Sequence, residues 1–145
     1  MPEVQSVHVF DKMLIQANEW VSEIGEEMKD PDPQRAYHAL RGTLFALRDR
    51  MPATNAAHLS AQLPTLVRGI FYDGYRFVDK PERTDREALL ERVRGELATT
   101  GRTDAETAVG AVLRVMERRL EKAEMDKVKE NMPKDIRALW EQVSA

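Results

Sequence analysis

Few residue types in this chain could act as a catalytic nucleophile. The 145 residues include no cysteine, and the serines, Ser22 and Ser60 among them, lie in no glycine-flanked turn that would activate a hydroxyl. The seven glycines are scattered singly, so no glycine-rich loop could hold a phosphate at the start of a helix. The sequence therefore predicts no catalytic residue and favours a protein that is not an enzyme.

The histidines and carboxylates do not have the spacing of a metal site. A zinc or di-iron site in a helical bundle needs ligands three or four residues apart on facing helices. The three histidines form no such pair. The glutamates within residues 23–27 lack a histidine partner, and their pattern is typical of a solvated helix face. We therefore expect no metal and no cofactor.

The second half of the chain resembles the first. Residues 19–73 align with residues 88–142 without a gap, at a constant offset of 69. Such self-similarity predicts a repeated supersecondary unit. Identical residues meet at Ala36 and Ala105, Ala39 and Ala108, Leu44 and Leu113, Arg50 and Arg119, Pro64 and Pro133, and Arg68 and Arg137.

Each unit has the pattern of four helices. Asp32 before Pro33 can start the second helix of the first unit, and capping boxes that begin at Thr84 and Thr103 start two helices of the second unit. Pro64 and Pro133 each start a further helix. The buried stripes of the two second helices match one for one: Ala36, Leu40, Leu44, Leu47 and Met51 in the first unit, Ala105, Val109, Leu113, Met116 and Leu120 in the second.

These patterns predict an all-α fold of about eight helices. We expect two tandem pseudo-symmetric repeats of about four helices each, packed as one compact bundle in a single domain, residues 1–145. The first unit covers about residues 5–74, the linker about 75–83 and the second unit about 84–145. No signal peptide and no membrane-spanning apolar run is present. The formal net charge is −3, and we expect a cytoplasmic protein without membrane association.

The two units differ in charge. Residues 79–145 carry 29 charged side chains and residues 1–78 carry 18. Phe45 stands opposite Arg114, and a helical wheel puts Phe45 nearly opposite the buried stripe of its own helix. These differences predict an apolar outer face on the first unit, which we take as an interaction face. Its residues are Tyr37, His38, Phe45, Ala57, Ala61 and Leu66.

Three alternatives could cover this face. One is the N-terminal segment with Phe10, a second is the linker with Tyr75 and Phe77, and the third is another protein chain. The third alternative makes the face an interface for a homodimer or for an unidentified protein partner. The leading functional hypothesis is therefore a non-enzymatic, helical protein–protein interaction module.

Two sets of cations allow other functions. Arg68 and Arg137 either bond carbonyl groups and hold the proline corner in place, or contact an anion. A basic patch of the second unit could bind nucleic acid, but interleaved acids favour ion pairs along the helix faces instead. The patch comprises Arg114, Arg118, Arg119 and Lys122. A small-ligand site between the repeats is the remaining alternative.

Several short segments are similar to the signature of a bacterial family known as a domain of unknown function, number twenty-two sixty-seven. Residues 62–64 read Gln-Leu-Pro, 68–69 read Arg-Gly, and 72–75 form a Tyr-Asp-Gly-Tyr turn. Residues 47–51 read Leu-Arg-Asp-Arg-Met, where the family has Leu-Arg-Asp-Arg-Leu. The chain departs from the family at residues 77–79, where relatives have a proline-containing turn. The resemblance covers nearly the whole chain and implies a small helical protein, without catalytic or binding residues.

Overall fold

The computed structural model describes residues 4–76, 85–101 and 104–144. Within these ranges the chain forms eight α-helices and no strand, so the predicted all-α fold is confirmed. The helices are α1 (His8–Met28), α2 (Pro33–Arg48), α3 (Ala53–Ala61), α4 (Thr65–Tyr72), α5 (Arg86–Ala98), α6 (Ala105–Arg119), α7 (Lys122–Glu130) and α8 (Lys134–Ser144).

Aspartates start three of these helices. Asp32 accepts a hydrogen bond from the Gln34 amide, and Pro33 takes the first helical position, as predicted. Asp85 and Asp104 accept bonds from amides in the first turns of α5 and α6. The caps of these two helices are therefore Asp85 and Asp104. Thr84 and Thr103, from which we expected the capping boxes to begin, lie outside the described residues. A carboxylate is favoured there because it also interacts with the positive end of the helix dipole.

The helix bounds and contacts follow the sequence offset. Each bound of α7 lies 69 residues after the matching bound of α3, and α8 begins 69 residues after α4. Contacts also occur in matching pairs: α2 packs on α5 as α6 packs on α1, and α2 packs on α4 as α6 packs on α8. These observations are consistent with pseudo-symmetry, and the arrangement as two repeats stays a prediction.

The hydrophobic core draws on both units. Trp20 and Ile24 of α1 are buried in one cluster with Leu90 of α5 and Trp140 of α8. All ten residues of the two predicted stripes are buried, so those stripes are confirmed. The α2 and α6 helices pack against each other and against α1 and α5, and together these four helices enclose the centre of the core.

Most of the predicted linker at 75–83, including residues 77–79 where the chain departs from the family, lies outside the described residues. Among the helices that the structure describes, none has the length and apolar character needed to cross a bilayer.

Candidate functional site

Phe45, the centre of the predicted interaction face, is buried. Its side chain is 8% exposed. The guanidinium carbons of Arg41, Arg48 and Arg92 lie 4.5, 4.0 and 5.9 Å from the centre of its ring. Cations stacked on an aromatic face attract its quadrupole, and their stems exclude water. Three arginines within the chain thus cover Phe45.

Ion pairs and carbonyl groups hold these arginines over the ring. Arg41 donates to the Asp73 carboxylate at 2.9 Å. Arg48 donates from Nη1 to the carbonyl oxygens of Phe71 and Asp73, at 2.8 and 2.6 Å. Arg92 pairs with Asp49, which also accepts a bond from Arg48 Nε. The end of α4 is thereby fastened to α2.

Of the segments expected to cover Phe45, the N-terminal one does not do so, because the side chains of Val7, Val9 and Phe10 are exposed. The linker contributes Tyr75, whose ring lies 5.8 Å from the guanidinium carbon of Arg48. Phe77 lies outside the described residues.

The other residues of the predicted face fall into two groups. Tyr37 and His38 are half-buried on α2, with their ring centres 5.1 Å apart, and His38 Nδ1 lies 3.1 Å from a carboxylate oxygen of Glu96 on α5. Ala57 and Ala61 are exposed on α3, and Leu66 is exposed on α4. Since Phe45 is buried and two others are half-buried, the six residues do not form one exposed face.

Arg68 and Arg137 bond carbonyl groups next to the paired prolines. Arg68 donates to the carbonyl oxygens of Ser60 and Leu63, at 2.9 and 3.1 Å. Arg137 donates to the Met132 carbonyl at 3.3 Å. Leu63 and Met132 correspond under the offset of 69 and immediately precede the two prolines. These contacts favour the structural alternative, in which each arginine holds a proline corner in place.

The basic patch of α6 is paired with α1. Arg114 donates to Glu27 at 2.8 Å, and Arg118 contacts Glu23 and Glu27 at 2.8 and 2.7 Å. Arg119 donates to Glu23 at 2.6 Å. The arginines therefore find their acids on another helix, and two of the glutamates that we took for a solvated face are their partners.

Lys122, the last residue of the basic patch, pairs with Asp126 one turn along α7, at 3.1 Å. This i, i+4 pair is of the kind expected from the interleaved charges. Together with the α1 pairs, it leaves the patch opposed by carboxylates. Binding a phosphate backbone depends on unopposed positive charge, so the geometry does not favour a nucleic-acid face.

The glutamates of this network have lowered pKa values. Burial raises the pKa of Glu23, but hydrogen bonds from Arg119 and Arg118 outweigh it, and the net pKa falls below its ordinary value of 4.5. A hydrogen bond from Arg114 is the largest influence on Glu27, whose pKa is also lowered although burial acts against it. Both carboxylates are thus held in the charged form that the ion pairs require.

Sequence reasoning missed the most exposed apolar segment. Large apolar side chains stand in solvent along the first half of α1, before Trp20 enters the core. Apolar residues beyond the aligned region could have indicated it, but we assigned them to covering Phe45. The exposed large apolar residues among those described are Val4, Val7, Val9, Phe10, Leu14, Ile15 and Leu66.

A cavity of about 120 Å³ lies between α3 and α7, the position of the predicted small-ligand alternative. We call it the α3–α7 cavity. Residues that correspond under the offset of 69 both line it, with His58 matching Lys127 and Asn55 matching Glu124. Its lining comprises Met51, Asn55, His58, Leu59, Glu124, Lys127, Val128 and Asn131. Across the described ranges, no cluster of three histidines or carboxylates could hold a metal ion.

A family model matches residues 17–139, which include every helix from the second half of α1 to most of α8. The family is described as Uncharacterized conserved protein (DUF2267). The chain belongs to this family. No curated protein matches the chain in sequence. Membership confirms the resemblance carried by the Leu-Arg-Asp-Arg and Tyr-Asp-Gly-Tyr segments, and the family description assigns no activity to this DUF2267 protein.

Proposed function

We propose that this DUF2267 protein is a non-enzymatic interaction module that binds a protein partner through the N-terminal part of α1. The observation that carries the proposal is exposure: Phe10, Leu14 and Ile15 are 60%, 54% and 57% exposed to solvent. Removing such surface from water favours association, and contiguous exposed apolar patches mark interaction sites on proteins.

The form of the segment indicates what kind of partner fits it. At 100° per residue, Val9, Phe10 and Leu14 lie within an arc of about 140° on α1. Ile15 lies outside this arc, on the side of Asp11 and Lys12. The segment is therefore amphipathic, and such a helix lays its apolar side into an apolar groove. The partner is therefore a protein with an apolar groove that receives the helix, and a second copy of this chain is the first candidate.

The proposed surface is particular to the first half of the chain. Under the offset of 69, Phe10, Leu14 and Ile15 correspond to Asp79, Arg83 and Thr84, so the sequence of the second unit has no apolar residue at these three positions. Leu66 adds an exposed apolar residue on α4, a helix that packs on α1. The proposal keeps the function predicted from the sequence and moves its main surface from Phe45 to the start of α1.

A double substitution tests the proposal. Wild type, Phe10→Glu/Leu14→Glu and the control Lys12→Glu are compared by size-exclusion chromatography with light scattering over a range of concentrations, and by quantitative pulldown. We expect self-association or a specific partner to be retained by the control and lost by the double variant. A wild-type protein that is strictly monomeric, and that retains the same proteins as the double variant, would falsify the proposal.

The α3–α7 cavity supports a second candidate, a small-ligand site between the repeats. It is lined by the apolar side chains of Leu59 and Val128 together with the polar side chains of Asn55, His58 and Asn131, a mixture that is usual for a small-molecule site. A fragment screen by NMR tests this candidate. If no fragment shifts the amide signals of α3 and α7, the candidate is wrong.

We also propose a cytoplasmic location, because the chain lacks cysteine and has a modest net charge.

A further inference from the structure

A second cavity, of about 280 Å³, lies where α2 ends and meets α5 and the turn after α4. We call it the arginine cavity. Two of the segments that carry the family resemblance meet here, since Arg48, Asp49 and Met51 come from the first and Gly74 and Tyr75 from the second. Its lining comprises Arg48, Asp49, Met51, Gly74, Tyr75, Arg76 and Arg92.

The charge of this cavity opposes that of the whole protein. Among the described residues, three guanidinium groups and the one carboxylate of Asp49 line it, whereas the chain has a net charge of −3. The two carboxylate oxygens of Asp49 are occupied separately, one by Arg48 Nε and the other by Arg92 Nη1. The nearby carboxylate of Asp73 accepts its bond from Arg41. The described lining therefore carries more positive than negative groups.

Arg48 is fixed in place before any ligand arrives. Only 5% of its side chain is exposed, its guanidinium stacks on Phe45, and Nε and Nη1 donate to Asp49, Phe71 and Asp73. Within the described ranges its remaining nitrogen, Nη2, donates to no acceptor. A buried cation held this rigidly offers a hydrogen-bond donor at little cost in side-chain entropy.

We propose that the arginine cavity binds the phosphate group of a small phosphomonoester. Guanidinium groups match the oxygens of a phosphate in shape and charge, and Arg48 and Arg92 line the cavity from two different helices. Arg76 adds an exposed cation at its edge. Tyr75 supplies an aromatic wall against which the organic part of the ligand packs. The volume is sufficient for a phosphate with a small organic group and too small for a nucleic-acid strand.

NMR titration of the full chain with inorganic phosphate and with phenyl phosphate tests the proposal, with sodium chloride as the control for ionic strength. We expect saturable shifts at the amides of Arg48, Gly74 and Tyr75, with affinity about tenfold higher for phenyl phosphate because its ring packs on Tyr75. Equal affinities for the two probes would overturn the role of Tyr75. Shifts that sodium chloride reproduces would overturn the site itself.

Arginine variants show whether the cavity is the site. Arg92→Gln and Arg76→Gln should each weaken phosphate binding by about tenfold, the loss of one charge-assisted contact. Arg76 makes no hydrogen bond or ion pair with the described residues. A loss of phosphate binding in Arg76→Gln would therefore not come from a folding defect. Arg94→Gln is the matched control, since Arg94 lies on the same helix and bonds Glu87 and Glu91.

The proposal would be overturned if Arg76→Gln and Arg92→Gln bound phosphate with wild-type affinity. It would also be overturned if Arg94→Gln lost as much affinity for phosphate as they do. The site is separate from the proposed interaction surface. Phe10→Glu/Leu14→Glu should therefore bind phosphate as the wild type does, whatever its effect on association with a partner. Failure of one proposal leaves the other standing, because the two measurements report on different parts of the molecule.

Discussion

The interface between α1 and α6 corresponds, under the offset of 69, to the interface between α5 and α2, yet their side chains carry opposite charges. Glu23 of α1 pairs with Arg118 of α6, and at the equivalent positions Arg92 of α5 pairs with Asp49 of α2. Acid and base have exchanged helices while the contact between the helices is kept. The two interfaces therefore keep an ion pair at the same place but differ in which helix carries the acid.

The largest difference concerns one position. Arg114 reaches across to Glu27 with its guanidinium partly in solvent, whereas Phe45, at the equivalent place, is buried beneath three arginines. A long arginine can lie along an interface with its stem covered and its head wet. A charged residue in one half of the chain thus does not show that the residue at the equivalent position of the other half faces solvent.

Truncating Phe45 and Arg114 to alanine should give the largest difference in stability between the two interfaces. Phe45→Ala removes a buried ring and should lower the free energy of unfolding by about 3 kcal/mol. Arg114→Ala removes a partly exposed ion pair and should cost about 1 kcal/mol or less. Urea unfolding followed by circular dichroism measures both. Equal losses would mean that the two interfaces are stabilised in the same way.

Charge reversal tests whether the polarity matters. Arg92→Glu puts a carboxylate against Asp49 and should cost about 1–2 kcal/mol. Adding Asp49→Arg recreates the polarity of the α1–α6 interface, and we expect partial recovery, with a coupling of about 1 kcal/mol in a double-mutant cycle. Recovery is partial because Arg48 also bonds Asp49.

Arg94→Glu is the control for this charge reversal, since it makes the same change on an exposed face of α5. It should lower stability by about 0.5 kcal/mol at most. No recovery in the double variant would show that Arg92 acts through its stem on Phe45 and not through its charge. An equal loss in the control would show that the cost of Arg92→Glu does not come from its contact with Asp49.

Acid should weaken the α1–α6 interface only slightly. The pKa values of Glu23 and Glu27 are lower in the folded chain than the ordinary 4.5. Their stabilising contribution is therefore complete above that value and is lost as the pH falls below it through the folded values. Because both side chains are partly exposed, we expect about 1 kcal/mol at most.

The urea midpoint, followed from pH 7 downward in the wild type and in Glu23→Gln/Glu27→Gln, measures this loss. The double variant should lack that part of the acid dependence and should also be less sensitive to salt. Identical pH profiles for the two proteins would contradict the assigned role of the pairs.

The helices were predictable because burial on one side leaves a period in the sequence. The stripe from Leu40 to Met51 shows it, and its matching residues in α6 are buried as well. The helical wheel placed Phe45 away from the buried stripe, but Phe45 is buried because α2 packs against α1, α4, α5 and α6. A wheel drawn for one buried side does not describe a helix that is enclosed on most of its circumference.

The ion pairs were missed for a related reason. Interleaved charges suggested partners along the same helix, which is correct for Lys122 and Asp126. Arg118 instead finds Glu23, 95 residues away. Local spacing does not determine which helices face each other, so a pair across the bundle leaves no signal in the sequence. The arginine cavity escaped notice likewise, since its two halves lie in separate motifs.

Helices of each half of the chain pack on helices of the other half, and this affects the order in which the protein can fold. The α2 helix packs extensively on α5, and α1 packs on α6. One helix of each pair belongs to the second half of the chain. During synthesis, α1 to α4 leave the ribosome before either covering helix exists. We expect the nascent first half to remain incompletely folded until the second half emerges, so that the chain acquires its structure in one late, cooperative step.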